Sequence, residues 1–278
     1  MNFRSAITLS FVPQAKGGPF VLWDDLVSSV SLAAQLGFDA VEIFPPGPEF
    51  FQSRDVSQVI LDHGLRVAAI GTGAGWVVHR WSLVDPNPAV RTAALDFVRS
   101  IIDVAARFDA PAIIGSMQGR SGPDMPADEA RAHLRSALEQ LDRHASQVGG
   151  KLLYEPLNRY ETDQCNRLEQ GVCLIAGLER TRLLADWFHM NIEEKDIAES
   201  LRCAGSAVGH IHFADTNRQA IGCGHLDVPP LIDALRDIRY DGYLSAEVFA
   251  LPDSRSAAEQ TLRAFRNLTA DSQTPTSP

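Results

Sequence analysis

"AVRTAALDFVRSIIDVAARFDAPAIIGS" (residues 89–116) joins two hydrophobic rhythms. Through Phe108 the apolar residues recur at spacings of three and four, the mark of one buried helix face. From Pro111 they run together, too briefly for a helix, as in a strand covered on both sides. The alternation then repeats: "ADEARAHLRSALEQLDRHASQVGG" (127–150) is helical in rhythm, and "KLLYEP" (151–156) is a short apolar run.

The same reading extends outward in both directions. Strand candidates are "SAITLSF" (5–11), "FDAVEIF" (38–44), "LRVAAIG" (65–71), "PAIIGS" (111–116), "KLLYEP", "RLLAD" (182–186), "AVGHIHF" (207–213) and "YLSAEVF" (243–249). Helical patterns such as "DDLVSSVSLAAQLG" (24–37) lie between them, and Gly37, Gly64 and Gly149 close several. Strict βα alternation predicts a parallel sheet with helices outside. Eight units in 278 residues, about 35 each, suit a closed (β/α)8 TIM barrel of roughly 250 residues. A doubly wound open sheet is the alternative. It would carry a phosphate-binding fingerprint after its first strand, where this chain reads "SFVPQAKGGPF", and "GTGAG" (71–75) fits neither glycine-rich phosphate motif. The expectation is one α/β barrel domain over 1–268, with a disordered polar tail at 269–278.

The net charge of −10, with only three lysines, disfavours nucleic acid as a partner. No apolar segment approaches a membrane span, and the N-terminus lacks an apolar leader, so no membrane association is expected. Cys165, Cys173, Cys203 and Cys223 form no CxxC pair and read as reduced thiols of a soluble cytoplasmic protein.

Polar residues collect at the ends of the last four strands. Glu155 closes the fifth, Asp186 the sixth, His210 and His212 lie in the seventh, and Glu247 in the eighth. They fall about one βα unit apart, at the carboxyl ends where barrel active sites form. Such an oxygen-rich set suits Mn²⁺, Mg²⁺ or Co²⁺ better than structural zinc. Its negative charge would be costly to bury without a cation. Period-two alternation puts both histidines on one face, so spacing leaves open which is the ligand.

"EPLNRYETD" (155–163), "DWFHMNIEE" (186–194), "HFADTNR" (212–218) and "AEVF" (246–249) resemble the four motifs of the D-tagatose/D-psicose 3-epimerase group of xylose-isomerase-like barrels. "AIGTG" (69–73), "SLVDPN" (82–87) and "GCGHLD" (222–227) are similar to 5-keto-L-gluconate epimerase-type proteins. The resemblance runs from roughly residue 60 to 250. It implies one divalent metal, Mn²⁺ first, held by Glu155, Asp186, His212 and Glu247. It also implies substrate contacts from Glu161, His189 and Arg218. The implied activity is epimerisation of a small-molecule keto sugar or keto sugar acid of the 5-keto-L-gluconate/D-tagaturonate type. Glu155 and Glu247 would abstract and return a proton through a metal-stabilised enediolate. A homo-oligomer is implied as well. Arg120 in "GSMQGR" (115–120) is a candidate clamp for a substrate carboxylate, and His225 and Asp227 are candidate lip residues. Trp187 departs from the small Thr of the relatives and is expected to narrow the pocket or alter metal access.

The scaffold admits other chemistry. An aldose–ketose isomerase resembling hydroxypyruvate isomerase, or a keto-inositol dehydratase, would use the same proton abstraction. Endonuclease-IV-like DNA repair would need more histidine ligands and a basic face. A non-catalytic sugar-acid binder is a further reading, whereas no strand-end lysine supports a Schiff-base aldolase. Several residues have plainer readings. His63, His133 and His144 sit in helical patterns, His79 in a loop, and His210 supports the site from behind or packs in the core. Glu193 and Glu194 are read as opening a helix, Asn158 and Arg159 as shaping a loop, and Cys223 as packing. Glu42 is either a pocket residue or a buried structural acid.

Overall fold

The computed structural model describes residues 3–52 and 56–270. Each apolar run contains a strand: β1 Arg4–Ser10, β2 Ala40–Phe44, β3 Arg66–Gly71, β4 Pro111–Ile114, β5 Lys151–Tyr154, β6 Thr181–Asp186, β7 Val208–His212 and β8 Tyr243–Ala246. Neighbours pair in parallel in sequence order. β8 pairs back onto β1, from Arg4 opposite Tyr243 to Ile7 opposite Ala246, closing the barrel.

The rhythm at 89–108 is the helix Pro88–Arg107, whose Asn87 cap accepts the Ala89 N–H at 2.9 Å. Its buried face includes Ala94, Val98, Ile101, Ile102 and Ala105. Burying one Val or Ile is worth roughly 1.5–3 kcal/mol. Ordinary helix propensities differ by at most about 0.7 kcal/mol, so burial fixes how this helix is rotated on the barrel. The helix Ala127–Val148 ends at Gly149, whose φ of 70° is the left-handed conformation a side chain would strain.

Most apolar side chains pack between the sheet and the helices. Ala69, Ile113, Leu153 and Leu184, one from each of β3 to β6, form a separate cluster inside the barrel. At the amino ends of the strands lies a concavity of about 920 Å³ lined by Arg4, Lys151, Arg180 and Arg182. These cations donate to carbonyls of Asp241, Asp109, Gly149, Gly150 and Glu179. They thereby pair backbone carbonyls in the loops that lead into the strands.

Thr269 ends the helix Ser254–Thr269, one residue into the stretch read as tail, while 271–278 lie outside the described residues. Among the described residues no helix is long and apolar enough to cross a membrane, and all four cysteines are free thiols.

Candidate active site

Strand ends place the four expected ligands within one residue of a common level. Asp186 and His212 are the last residues of β6 and β7, and Glu155 and Glu247 directly follow β5 and β8. Asp186 divides its two oxygens between structure and site. Oδ1 caps the helix Trp187–Glu193, accepting the Phe188 N–H at 2.7 Å and the His189 N–H at 3.4 Å. Oδ2 stands 3.1 Å from His212 Nδ1. The same Nδ1 is 3.4 Å from Glu155 Oε1 and 3.5 Å from Glu247 Oε2. One ligand atom from each of the four residues lies within 4.8 Å of the others.

Burial and mutual repulsion set the charges of this cluster against the positive groups beside it. Burial, with Glu247 and Asp186 nearby, pushes the Glu155 carboxyl up to about 8 although His212 opposes the shift. Burial likewise raises Glu247, against His212 and Arg218. Burial also works against a charged Asp186, but His189, His212 and Arg218 hold its carboxyl well below the usual range. Glu155 Oε1 is buried without a hydrogen-bond partner. Three carboxylates and one imidazole, converging with an unpaired oxygen, fit an oxygen-preferring divalent ion.

Behind His212 stands Glu42, which spacing left undecided between pocket and core. It reaches from β2 across the barrel interior, with Oε1 3.1 Å from His212 Nε2 and Oε2 2.8 Å from His210 Nε2. Burial disfavours its charge, yet His212 and His210 hold its carboxyl far below the ordinary value. Two irregularities of strand register adjoin this bridge, at Val41/Glu42 on β2 and at Leu183/Leu184 where β6 meets His210. Bulges re-aim side chains in this way next to active sites.

His189 lies 1% exposed beside the cluster. Its Nδ1 takes the Asn158 backbone N–H at 3.2 Å and meets Asn158 Nδ2 at 2.7 Å, so Nε2 carries the proton. That Nε2 points between Asp186 Oδ2 at 3.7 Å and Glu155 Oε1 at 3.9 Å, with no hydrogen-bond partner. Burial pushes the imidazole down to about 3, which keeps it a neutral donor. Arg218 donates to Glu247 Oε2 at 2.5 Å and approaches Glu161 Oε1 at 3.5 Å. Its guanidinium lies over the Phe188 ring, 4.8 Å from the centroid.

A cavity of about 340 Å³ opens onto Glu155, Glu161, His212, Arg218 and Glu247. Its other wall holds Phe20, Phe44, Trp76 and Val77. Phe20 and Phe44 stack with centroids 4.4 Å apart. This aromatic wall carries no motif, and nothing in the sequence marks it.

Several expectations change. Arg120 is exposed, donates to the Tyr160 carbonyl at 2.9 Å and does not line the cavity. His225 is also exposed off the wall, against Thr216 Oγ1. Trp187 does not narrow the pocket. As the first residue of its helix it turns into the core, fully buried against Phe213 with centroids 5.3 Å apart. Glu193 does not open a helix but ends one, pairing with Arg159 through both oxygens at 2.9 Å. Glu194 accepts from Leu168 N and Ser200 Oγ. Asp215, unremarked in "HFADTNR", accepts four backbone N–H groups at 2.8–3.0 Å from Thr216, Gly222, Gly224 and Leu226. It organises the loop after β7.

The family described as "Xylose isomerase-like TIM barrel" matches residues 30–268. An L-ribulose 3-epimerase of Methylomonas sp. (strain DH-1) is 27% identical over 267 residues, covering 92% of each chain. A 3-dehydro-D-guloside 4-epimerase of Escherichia coli (strain K12) is 28% identical over 256 residues, 88% of this chain and 92% of that one. Among solved structures, D-psicose 3-epimerase with D-tagatose from Clostridium cellulolyticum H10 superposes with a TM-score of 0.80. That match is 22% identical and covers 96% of this chain and 99% of the other.

Proposed function

Because the chain belongs to the xylose isomerase-like TIM-barrel family, we propose that it is a metal-dependent epimerase of a keto sugar. The observation that carries this is the pair Glu155 and Glu247, which follow β5 and β8 and both approach His212 Nδ1. Similarity to an L-ribulose 3-epimerase and a 3-dehydro-D-guloside 4-epimerase supports the same reaction class.

Glu155, Asp186, His212 and Glu247 would hold the divalent ion, Mn²⁺ ahead of Mg²⁺ or Co²⁺. Bound there, such an ion would supply Lewis acidity to a ketone oxygen and so make the neighbouring C–H easier to deprotonate. The proton work falls to the two glutamates. One takes the proton from the carbon beside the ketone, and the other returns one to the opposite face; reversing the reaction exchanges them. Arg218 fixes Glu247 by its 2.5 Å bond. The unpaired His189 Nε2–H supplies a buried donor for a substrate oxygen, and Glu161 offers an acceptor at the rim. Phe20, Phe44 and Trp76 cover the apolar face of the sugar and exclude water.

The cationic side chain of the cavity favours a neutral keto sugar over a keto sugar acid. Among the residues that line it, Arg218 is the one guanidinium or ammonium group, and Glu247 already engages it, so no lysine or free arginine is offered to a substrate carboxylate. The test is incubation of Mn²⁺-loaded protein with L-ribulose, D-tagatose, D-psicose, D-fructose and 5-keto-L-gluconate in D₂O, read by NMR. A new epimer with deuterium at the inverted carbon, abolished by EDTA, is expected for a neutral ketose. Deuterium at C1 with an aldose product would mean an isomerase instead. No exchange with any of them would overturn the epimerase reading.

A further inference from the structure

Glu42 and His210 are absorbed neither by the expected ligand set nor by the proton transfer, yet both are almost wholly buried, 4% and 1% exposed. An ionised carboxylate buried this deeply needs full compensation. Here both of its oxygens are used, and both partners come from one strand. Oε2 meets His210 Nε2 at 2.8 Å and Oε1 meets His212 Nε2 at 3.1 Å, across 168 and 170 residues of chain.

A carboxylate accepts hydrogen bonds and cannot donate them, so each of the two Nε2 atoms must carry a hydrogen. For a neutral His212 this leaves the lone pair on Nδ1. That nitrogen is the one facing Asp186 Oδ2, Glu155 Oε1 and Glu247 Oε2, at 3.1, 3.4 and 3.5 Å. With a cation seated among those oxygens, this lone pair is what makes His212 a ligand. The opposite tautomer would turn an N–H toward the ligand cluster and remove a ligand. Fixing the second ring nitrogen of a ligating histidine is what sets its tautomer and orientation.

We propose that Glu42 is a positioning residue that holds His212 in the metal-ligating tautomer, and that His210 locks Glu42 by occupying its second oxygen. Without His210 a single contact, that of Oε1 with His212 Nε2, would be left to orient the carboxylate. With it, the two imidazoles, ring centroids 5.8 Å apart and planes at 81°, clamp the carboxylate in one orientation. The register irregularities beside Glu42 and opposite His210 supply the local bend that brings them to meet. This role rests on the metal site proposed above, and it assigns to β2 a part in metal binding that contributes no ligand.

The test is Mn²⁺ binding, with no substrate present, by wild type, Glu42→Gln and His210→Gln, together with ¹⁵N NMR of the histidines in Mg²⁺-loaded wild type. The amide that Glu42→Gln introduces still fits the space but cannot accept from both rings with both its ends. The expected result is an Mn²⁺ affinity about 10- to 100-fold weaker in Glu42→Gln, at unchanged stoichiometry and with the far-UV spectrum retained. His210→Gln keeps a donor to Glu42 and is expected to fall between that variant and wild type. In the NMR spectrum His212 should carry its proton on Nε2. Equal Mn²⁺ affinity in Glu42→Gln and wild type, or a His212 proton on Nδ1, would overturn the role of Glu42. Should Glu42→Gln fail to fold, the wild-type NMR result decides alone. Failure of wild type to bind Mn²⁺ would instead remove the metal site itself, and the two failures are thereby told apart.

Discussion

Gly115, which follows β4, stands against the carboxylate of Glu155: a methyl group built on it would collide with Glu155 Oε2. The absence of a side chain on one strand end therefore sets where the acid of the next can lie. Gly115→Ala should push that carboxylate aside while the fold survives. Misplacement of a reacting group by about 1 Å costs on the order of 10² in rate. We expect a kcat loss of that order, with a circular dichroism spectrum like wild type. An alanine variant of full activity would mean that the Glu155 position is not set here.

Glu155→Gln and Glu247→Gln should each lower kcat by about 10²–10⁴, the usual worth of a positioned acid or base. Because the two are to act on opposite faces, deuterium wash-in separates them. In one direction of the reaction, the variant lacking the abstracting residue should exchange no deuterium, whereas the other should retain slow exchange without inversion. Turnover near wild type in saturating Mn²⁺ for either variant would sink its role.

His189→Phe removes a donor whose Nε2–H has no partner among the described residues. Loss of a buried hydrogen bond to substrate is worth about 1–3 kcal/mol, which corresponds to roughly 5- to 150-fold in kcat/KM. Burial keeps His189 neutral down to about pH 3, so no limb of the wild-type pH–rate profile near 6.5 should disappear in this variant. Such a disappearance would show that the imidazole titrates during turnover.

Asp215→Ala should loosen the loop after β7 by stripping an acceptor from four N–H groups. Hydrogen bonds to a charged group are worth about 1.5–3 kcal/mol, and a Tm fall of roughly 3–5 °C follows for a chain of this size. Burial opposes the charge of Asp215, but the N–H groups of Leu226, Gly224, Thr216 and Gly222 pull its carboxyl below the ordinary value. Its stabilisation is thus present above the unfolded carboxylate range and is lost as pH falls through the lowered value. The gap in Tm between wild type and variant should accordingly be widest at neutral pH and shrink below about pH 4. A gap that stays constant with pH would exclude the charge as its source.

Thiol titration offers a check on the packing. Cys173, Cys203 and Cys223 are exposed, whereas Cys165 is buried, and burial pushes its thiol up to about 12. Three thiols should react with Ellman's reagent in the native protein at pH 8, and the fourth only on unfolding. Prompt reaction of all four would contradict the buried placement of Cys165.

The barrel is legible in the chain because a strand covered on both faces and a one-sided helix leave different rhythms, and eight alternations leave few topologies. That Glu155, Asp186 and a histidine of β7 meet Glu247 is legible for a related reason: strand ends at the same level recur with the period of the βα unit, although spacing does not choose between His210 and His212. Glu42 escapes such reading, since its partners lie some 170 residues away and nothing in spacing marks a reach across the barrel. Trp187 misleads because the first residue of a helix can face either pocket or core, and only packing against Phe213 decides. Arg120 misleads because a carbonyl 40 residues on, that of Tyr160 in the loop after β5, takes its guanidinium. The aromatic wall is assembled from a loop at Phe20, a strand end at Phe44 and the short helix Ala74–His79, each unremarkable alone.

The bridge from Glu42 to β7 bears on how long the protein survives as well as on how it works. Contacts between residues so distant in sequence form late, after the intervening chain has been ordered. An ion held by β5 to β8, with its histidine steadied from β2, would bind the closed ring and scarcely the open one. Each such ion draws the folding equilibrium toward closure, by about 2.7 kcal/mol at a concentration one hundred times its Kd. Scarcity of the metal would then act twice, idling the molecules that remain and shortening the lifetime of the population by raising the fraction exposed to proteolysis.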